Sequence, residues 1–320
     1  MPQDPIRVGT RGSKLALIQA RAVIGALRTH SPGIGFEEHI LTTTGDRVTG
    51  APLSQIGAVG LFTKEIEAAL LGREIHVAVH SAKDVPTTLP DGLCLVIILE
   101  REDARDVLVL REAAAVAHGA PLDALCEGAT VGTSSERRKA QLLHQRPDLH
   151  VVPLRGNLDT RLRKLDAERL DAIVVAAAGL ARMGISSQQA VPMPIDMCVP
   201  AAGQGALAVE LRRDDGRLTE LVSSLRHEPT VACVAAERAA LATLGGGCPV
   251  PIGLHARIVN GRLRLQAVVA ETTGEQLVRA GGSGPPEDAE RIGSQVAQEL
   301  LGRGARDMIR AAENGGGAGA

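Results

Sequence analysis

A short polar segment, HSAKDVP at residues 80–86, places three reactive types of side chain close together. It follows a strand-like run at residues 75–79 and ends in a proline, which stops a regular element. Ser81, Lys83 and Asp84 therefore supply a hydroxyl, an ammonium and a carboxylate at the end of a predicted strand. Because ligands of open α/β sheets bind beyond the carboxyl ends of strands, we predict a functional site here; the alternative is a polar surface turn.

Several arginines lie close to predicted strand-to-helix turns. Arg137 and Arg138 fall in the first turn of a predicted helix, where free backbone N–H groups and the helix dipole favour an anion and disfavour a cation. This placement predicts an anionic ligand as the compensating charge, although each arginine taken singly could lie on an ordinary solvated face. Phosphate is disfavoured, since no GxxxxGK[ST] or strand-linked GxGxxG motif occurs. The set that indicates a ligand with several carboxylates comprises Arg11, Arg137, Arg138, Arg155 and Arg161.

Cys248 stands after three glycines and before Pro249. The glycines allow unusual backbone dihedrals, so a loop could present this thiol. A lone cysteine is more often a small buried hydrophobe, and the sequence by itself leaves both interpretations open. None of the five cysteines forms a CxxC pair, which argues against a structural zinc site and a disulfide framework.

Composition limits the class of protein. The chain has 320 residues, of which 44% are hydrophobic, enough for two or three domains with sizeable cores. No run approaches about 18 apolar residues, and the N-terminus has no apolar signal core, so we expect a cytoplasmic protein with no membrane partner. The net charge of −2 and the absence of Trp and Tyr argue against nucleic-acid binding.

Strand-like runs alternate with helical periodicity as far as about residue 210, which predicts α/β architecture. We predict strands at 6–10 and 36–42, a helix capped by Ser13, and a helix at 61–71.

A weak internal repeat supports two similar α/β domains. The sequence VGT occurs at 8–10 and at 131–133, each time before hydroxyls, cations and a predicted helix. The run at 76–81 likewise resembles the run at 172–177. Two such domains would each point a helix N-terminus at a shared cleft.

The predicted domains are residues 1–100 with 199–219, residues 101–198, and residues 220–312, followed by a disordered Gly/Ala-rich tail at 313–320. The third domain is predicted to be a small α+β unit. Its predicted elements are a helix at 230–244, strands at 252–259, 262–271 and 275–280, and a helix at 286–312.

Eight motifs, taken together and in this order, resemble the porphobilinogen deaminase (hydroxymethylbilane synthase) family along essentially the whole chain. They are TRGSKLAL (10–17), TGD (44–46), GLFTKEIE (60–67), HSAKDVP (80–86), GTSSERR (132–138), LRGNLDTRLRKL (154–165), PAAGQGAL (200–207) and GGCPVPIG (246–253).

The resemblance implies two domains similar to bilobed binding proteins and a third domain that carries the cofactor cysteine. It implies a thioether between Cys248 and a dipyrromethane made from two porphobilinogen units. Four further porphobilinogens would be added with loss of ammonia, and hydrolysis by water would release hydroxymethylbilane. It also implies a monomer that needs no metal or nucleotide.

The resemblance further implies roles for individual residues. Asp84 would stabilise the positive charge that develops on a pyrrole when ammonia leaves, and it would carry the proton lost after each coupling. Each pyrrole bears an acetate and a propionate, which cations would pair. The implied cofactor contacts are Lys83, Ser13, Thr133, Ser135, Arg137, Arg138 and Arg155. The implied substrate contacts are Arg11, Gln19, Ser81, Arg155, Arg161 and Arg182.

Three positions depart from the family pattern: Val59 replaces a usual lysine, Glu136 a usual apolar residue, and Pro249 follows Cys248 where other residues are usual. A non-enzymatic bilobed binding protein for an anionic ligand is the main alternative function. A binding protein of this kind would give Cys248 no function. A thiol enzyme with Cys248 as a free nucleophile is a weaker alternative, because only His255 stands close in sequence.

The cofactor hypothesis predicts the intact mass of the purified protein. An adduct of two pyrrole units should be present in the wild type and absent from Cys248→Ser. It should survive when each of the other cysteines, Cys94, Cys126, Cys198 and Cys233, is replaced. An unmodified wild-type mass, from cells able to make porphobilinogen, would contradict the hypothesis.

Overall fold

The computed structural model describes residues 4–47, 63–112, 120–245 and 250–315. The strands are β1 (Ile6–Arg11), β2 (Phe36–Leu41), β3 (Val77–Ser81), β4 (Leu93–Ile98), β5 (Asp106–Leu110), β6 (Thr130–Gly132), β7 (His150–Val152), β8 (Ala172–Ala176), β9 (Ala190–Pro192), β10 (Leu207–Arg212), β11 (Ile252–Val259), β12 (Arg262–Ala270) and β13 (Leu277–Gly284). The helices are α1 (Lys14–His30), α2 (Thr44–Arg47), α3 (Lys64–Leu71), α4 (Glu136–Gln145), α5 (Leu158–Ala167), α6 (Ala177–Arg182), α7 (Gly216–Ser223), α8 (Glu228–Leu244), α9 (Ala289–Leu300) and α10 (Arg306–Gly315).

Domain 1 is built on a five-stranded sheet in the order β2-β1-β3-β10-β4. Strands β2, β1 and β3 are parallel, and β10 runs antiparallel to both of its neighbours. Ser13 caps α1 by accepting a hydrogen bond from the backbone N–H of Ala16. The buried side chains Val23 and Leu27 of α1 then pack with Val8 of β1 in the core. The predicted strand, cap and helix are therefore present.

Domain 2 repeats this arrangement with a second sheet in the order β7-β6-β8-β5-β9. Strands β7, β6 and β8 are parallel, and β5 is antiparallel to β8 and β9. The two VGT sequences lie at equivalent sheet positions, in or directly after β1 and β6, and the second pair of similar runs contains β3 and β8. The internal repeat thus reflects two similar α/β domains, as predicted.

Domain 3 is a three-stranded antiparallel sheet, β11-β12-β13, whose core is shared with α8 and α9. The predicted single helix at 286–312 is wrong, and the predicted disordered tail at 313–320 begins too early, because α10 continues to Gly315. The structure has a short 3-10 turn at Pro286–Asp288, then α9, a π-helical turn at Leu301–Ala305, and α10. Gly304 interrupts the helix because its φ of 101° lies in the left-handed region, which glycine adopts without steric cost.

Two segments cross between the α/β domains, residues 99–105 after β4 and residues 193–206 before β10. Each sheet takes its strands from one of the predicted ranges, so we propose the domain boundaries given by the sequence analysis.

A buried carboxylate in α8 fastens domain 3 to both crossing segments. Glu237 is fully buried and accepts two hydrogen bonds from the guanidinium of Arg101, at 2.7 and 3.2 Å. It also accepts the backbone N–H groups of Gly203 at 2.7 Å and Ala256 at 2.6 Å. A buried charge is tolerated only when it is paired and its lone pairs are used, and these four contacts satisfy both conditions.

The Glu237→Gln variant should lower the free energy of unfolding by about 3–5 kcal/mol, because it leaves the Arg101 guanidinium without its counter-charge. Glu228, in the same helix, provides the control, since its pair with Arg226 is exposed to solvent. Glu228→Gln should cost less than about 1 kcal/mol. Urea unfolding followed by circular dichroism measures both, and equal losses in the two variants would contradict the buried-pair account.

Candidate functional site

The HSAKDVP segment forms a tight turn at the carboxyl end of β3. Ser81 ends the strand, and a 3-10 turn at Ala82–Asp84 follows. Ala82 is buried and donates its backbone N–H to the carbonyl of Ala206 at 3.0 Å, whereas Lys83 and Asp84 are exposed. The polar side chains thus extend from an anchored backbone.

The Gly-Gln-Gly sequence at residues 203–205 packs directly against this turn. A Cβ on Gly203 would lie 3.0 Å from the backbone of Ala82 and 3.1 Å from the backbone nitrogen of Lys83. A Cβ on Gly205 would lie 2.4 Å from the carbonyl oxygen of Glu102. Both glycines also have positive φ values, 73° and 88°, so larger residues would be strained at either position.

Gln204, between these glycines, connects the two α/β domains. Its Oε1 accepts a hydrogen bond from Lys83 Nζ at 3.3 Å, and its Nε2 donates to Asp106 Oδ1 at 2.8 Å. Gln204 is 1% exposed, so its polar atoms depend on these partners. The sequence motifs assign no role to Gln204 or Asp106. The glycines on either side of Gln204 were the available signal.

Asp106 is buried between the two arginines at the start of α4. Its Oδ2 accepts from Arg137 Nη1 at 2.7 Å, and its Oδ1 accepts from Arg138 Nε at 3.1 Å and Nη2 at 2.7 Å. The side chain of Cys198 also donates to Oδ2 at 3.3 Å, since burial and the nearby carboxylate raise the pKa of its thiol to about 12. Burial alone would raise the pKa of Asp106, but the two guanidinium groups outweigh it and hold the pKa far below its usual range.

The position of Asp106 corrects the prediction that Arg137 and Arg138 need an anionic ligand as their compensating charge. Arg137 and Arg138 are only 6% and 5% exposed, and the carboxylate that compensates them belongs to the chain itself. The cations therefore do not require a ligand to be stable. Their predicted contact with cofactor carboxylates remains a prediction. One carboxylate shared by two guanidinium groups still leaves a net positive charge for such a contact.

Lys83 is exposed as a residue, and its ammonium group lies among the charged side chains of Asp84, Asp106, Arg137 and Arg138. Burial lowers the pKa of Lys83 to about 8, an effect that Asp84 opposes and that Arg138 reinforces. At neutral pH the group is mostly charged, and a bound anion would favour the charged form further.

Arg155 and Arg161 bring positive charge from the other side of the cleft. Arg155 is half-buried and makes no ion pair or hydrogen bond with its side chain within the described part of the chain. Arg161 in α5 donates from Nε to the carbonyl of Gly156 at 2.8 Å. Burial, together with the positive charges of Arg138 and Arg155, lowers the pKa of Arg161 to about 10, and Asp84 opposes this shift. These groups from two domains are therefore close enough to interact through their charges.

Arg11 and Arg182, two further predicted contacts, are held by the chain itself. Arg11 pairs with Asp46 of the TGD motif. Burial would raise the pKa of Asp46, but hydrogen bonds from Arg11 and Thr43 lower it overall. Arg182 donates to the carbonyl of Gly205 at 2.6 Å.

The predicted polar contacts are also engaged. Gln19 Nε2 donates to Ser81 Oγ at 2.9 Å. Thr133 is buried, and its hydroxyl oxygen accepts the backbone N–H of Ser135 at 3.2 Å. The Ser135 side chain caps α4.

Three residues named from the sequence, Val59, Cys248 and Pro249, lie outside the described residues. Among the described residues, no group of three or more His, Cys, Asp or Glu side chains is placed to hold a metal ion. No helix in the described ranges is long and apolar enough to cross a membrane.

Within the described part of the chain, the cations Lys83, Arg137, Arg138, Arg155 and Arg161 lie close enough to the carboxylates Asp84 and Asp106 to interact through their charges. The fold and this charge arrangement define a two-domain cleft that suits a ligand with several carboxylates, completed by a third domain fastened to its crossing segments.

Comparison with known proteins identifies the family. A family model described as "Porphobilinogen deaminase, dipyromethane cofactor binding domain" matches residues 6–220, and the model of the C-terminal domain of the same family matches residues 231–302. The chain therefore belongs to the porphobilinogen deaminase family.

Two curated relatives match nearly the full length. The porphobilinogen deaminase of Desulforudis audaxviator is 49% identical over 302 residues, which cover 94% of this chain and 96% of that protein. The porphobilinogen deaminase of Pelotomaculum thermopropionicum is 50% identical over 307 residues, which cover 96% of each. Among solved structures, the VFT2 domain of BvgS from Bordetella pertussis shows a loose likeness, with a TM-score of 0.42 and 16% identity over 70% of this chain and 87% of that chain.

These matches confirm the predictions of a transferase of tetrapyrrole synthesis and of a dipyrromethane cofactor. The alternative of a non-enzymatic binding protein is not favoured.

The Asp106→Asn variant should test the role of the buried carboxylate. Because folding lowers the pKa of Asp106, its stabilisation is complete well above the ordinary value of 3.8 and is lost as the pH falls below that value. At about pH 7 the variant should be less stable than the wild type by about 3–5 kcal/mol. The difference in the free energy of unfolding between the variant and the wild type should become smaller as the pH falls below about 4.

Urea unfolding at several pH values measures this difference. Asp148→Asn, which removes a half-exposed partner of Arg146, is the control and should show a much smaller change at every pH. An Asp106→Asn variant as stable as the wild type at neutral pH would contradict the account.

Proposed function

We propose that the cations of the cleft hold the carboxylates of the cofactor and substrate, while Asp84 carries the chemistry of each coupling. The observation that supports this most strongly is the position of the Asp84 carboxylate at the edge of a cluster of cations drawn from both α/β domains. In this arrangement, the cations would attract the carboxylates of the cofactor and substrate. The negative charge of Asp84 would stabilise a positive charge on the reacting pyrrole.

The residues present fit a dipyrromethane by their chemistry. Two pyrroles with an acetate and a propionate each carry four carboxylates, and the cleft offers ammonium, guanidinium and hydroxyl donors. Among the residues that the structure describes, the guanidinium of Arg155 makes no ion pair or hydrogen bond, and the Arg137–Asp106–Arg138 cluster keeps a net positive charge. When bound, the cofactor supplies the pyrrole carbon to which the first substrate is joined. The residues proposed to hold it are Cys248, through a thioether, with Lys83, Ser13, Thr133, Ser135, Arg137, Arg138 and Arg155.

Substrate binding is proposed for a second, overlapping group. Arg155 and Arg161 would pair the carboxylates of porphobilinogen. Arg11 and Arg182, which Asp46 and the Gly205 carbonyl hold in place, would contribute from the two sides of the cleft. Gln19 and Ser81 would add hydrogen bonds next to the Asp84 turn.

Asp84 is proposed as the catalytic carboxylate. Loss of ammonia from porphobilinogen leaves a positively charged pyrrole, and a preorganised carboxylate beside the ring N–H lowers the energy of that charge. The same carboxylate would take up the proton that is lost when the new bond forms. The turn at Ala82–Asp84 is well suited to this role, because its backbone is anchored and its side chain is exposed to the cleft.

We also propose that the enzyme works in the cytoplasm as a monomer and binds no nucleic acid. The resemblance supports the first two statements. The net charge of −2 and the lack of Trp and Tyr support the third.

The Asp84→Asn variant should separate charge from shape. The amide keeps the size of the side chain and one acceptor but removes the negative charge, so turnover should fall by about two to three powers of ten. Asp84→Glu keeps the charge and should retain more activity than Asp84→Asn. Both variants should fold and carry the cofactor, as shown by intact mass.

The assay is product formation per cofactor-loaded enzyme at saturating porphobilinogen. If Asp84→Asn turned over as fast as the wild type, Asp84 would have no part in the mechanism.

A further inference from the structure

Arg238 of α8 holds the backbone that follows Asp84. Its Nη1 donates to the carbonyl of Val85 at 3.0 Å, and its Nη2 donates to the carbonyls of Pro86 at 2.6 Å and Thr87 at 3.5 Å. One guanidinium group from domain 3 thus contacts three successive carbonyls in domain 1. The planar group has its donors in a fixed fork, so it restrains the direction of this segment as well as its distance.

The contact is stronger than a surface hydrogen bond. Arg238 is half-buried, which lowers its pKa, and the nearby carboxylate of Glu210 opposes that effect. Hydrogen bonds from a charged donor are roughly twice as strong as neutral ones. Within the described ranges, Arg238 is the side chain that donates hydrogen bonds to these three carbonyls.

The turn that carries Asp84 is therefore fixed on both sides by different domains. On the N-terminal side, Ala82 bonds to Ala206 within domain 1. On the C-terminal side, the firm attachment is Arg238 of domain 3. Any displacement of α8 relative to domain 1 would move the backbone directly after Asp84.

The neighbouring residue extends this connection. Glu237 binds Arg101 and Gly203 in the two crossing segments, and successive helix residues point about 100° apart, so both side chains reach different partners at once. The same helix ends at Leu244, four residues before Cys248. One rigid element thus links the crossing segments, the Asp84 turn and the stretch that leads to the cofactor cysteine.

We propose that Arg238 is a positioning residue for Asp84, which fixes the catalytic carboxylate relative to the helix that precedes the cofactor cysteine. This inference rests on the role proposed for Asp84. Arg238 acts through the backbone of residues 85–87 and has no contact with substrate or cofactor in this account.

A double-mutant cycle tests the proposal. In the wild-type background, Arg238→Gln should lower kcat by about 10- to 100-fold, since a displacement of about 1 Å at a reacting group has effects of this size. KM should change little, because the carboxylate-binding cations are untouched. In the Asp84→Asn background, the same substitution should cost little more, because the charge that it would misplace is already absent. Arg238→Lys, which retains a cation but loses the fork, should fall between wild type and Arg238→Gln.

Arg146 offers a matched control. It also donates to three backbone carbonyls, those of Leu122, Leu125 and Cys126, but these lie in domain 2 away from the Asp84 turn. Arg146→Gln should lower the urea midpoint in the same way as Arg238→Gln and leave kcat unchanged. Intact mass should show the two-pyrrole adduct in every variant, which separates a positioning effect from a loss of cofactor.

Three results would overturn the proposal. Wild-type kcat in Arg238→Gln would show that the contact positions nothing. If Arg238→Gln lowered kcat by the same factor in the wild-type and Asp84→Asn backgrounds, Arg238 would have only a general structural role. The role proposed for Asp84 would be unaffected. Wild-type turnover in Asp84→Asn would remove both proposals. If Arg238→Gln is too unstable to purify, the cycle is run with Arg238→Lys, and the same outcomes decide.

Discussion

The negative charge of Asp106 is the constraint on which the cleft depends. It lies between two buried guanidinium groups that would otherwise repel each other and oppose the dipole of α4. Its remaining lone pairs accept from Gln204 and Cys198, so the carboxylate is fully used. Through Gln204 the same charge sets the position of Lys83 in the opposite domain. The start of a helix in one domain and the Asp84 turn of the other are therefore connected through one buried anion.

The consequence is a cleft with an uneven distribution of charge. The Asp84 carboxylate lies next to cations from both domains, so these cations would attract the carboxylates of a ligand, and in the proposed mechanism Asp84 would stabilise a positively charged pyrrole. Domain 3 contributes without lining this charge cluster. Adjacent residues of α8, Glu237 and Arg238, fasten the crossing segments and the Asp84 turn to a single helix. In the proposed mechanism, charge selects the ligand, and the hydrogen-bonded framework fixes the position of Asp84.

Local patterns in the sequence predicted the local structure well. The Ser13 cap, the strand before HSAKDVP and the repeat of VGT each follow from short-range propensities, and the structure contains the corresponding elements. The pairing of these elements with distant partners was not predictable in the same way. Asp106 meets Gln204 from 98 positions away, and Arg238 meets Pro86 from 152 positions away. Two arginines at the start of α4 indicate that a negative charge must lie nearby. Only the fold shows that Asp106 of the same chain provides that charge.

The most direct measurement is a crystal structure of the cofactor-loaded protein at neutral pH. The account predicts that carboxylates of the dipyrromethane lie within hydrogen-bonding distance, about 2.7–3.2 Å, of Lys83 and Arg155, with Asp84 accepting from a pyrrole N–H. The Asp106 carboxylate should remain between Arg137 and Arg138. A cofactor whose carboxylates are paired elsewhere, with Asp84 turned toward bulk solvent, would contradict the central claim.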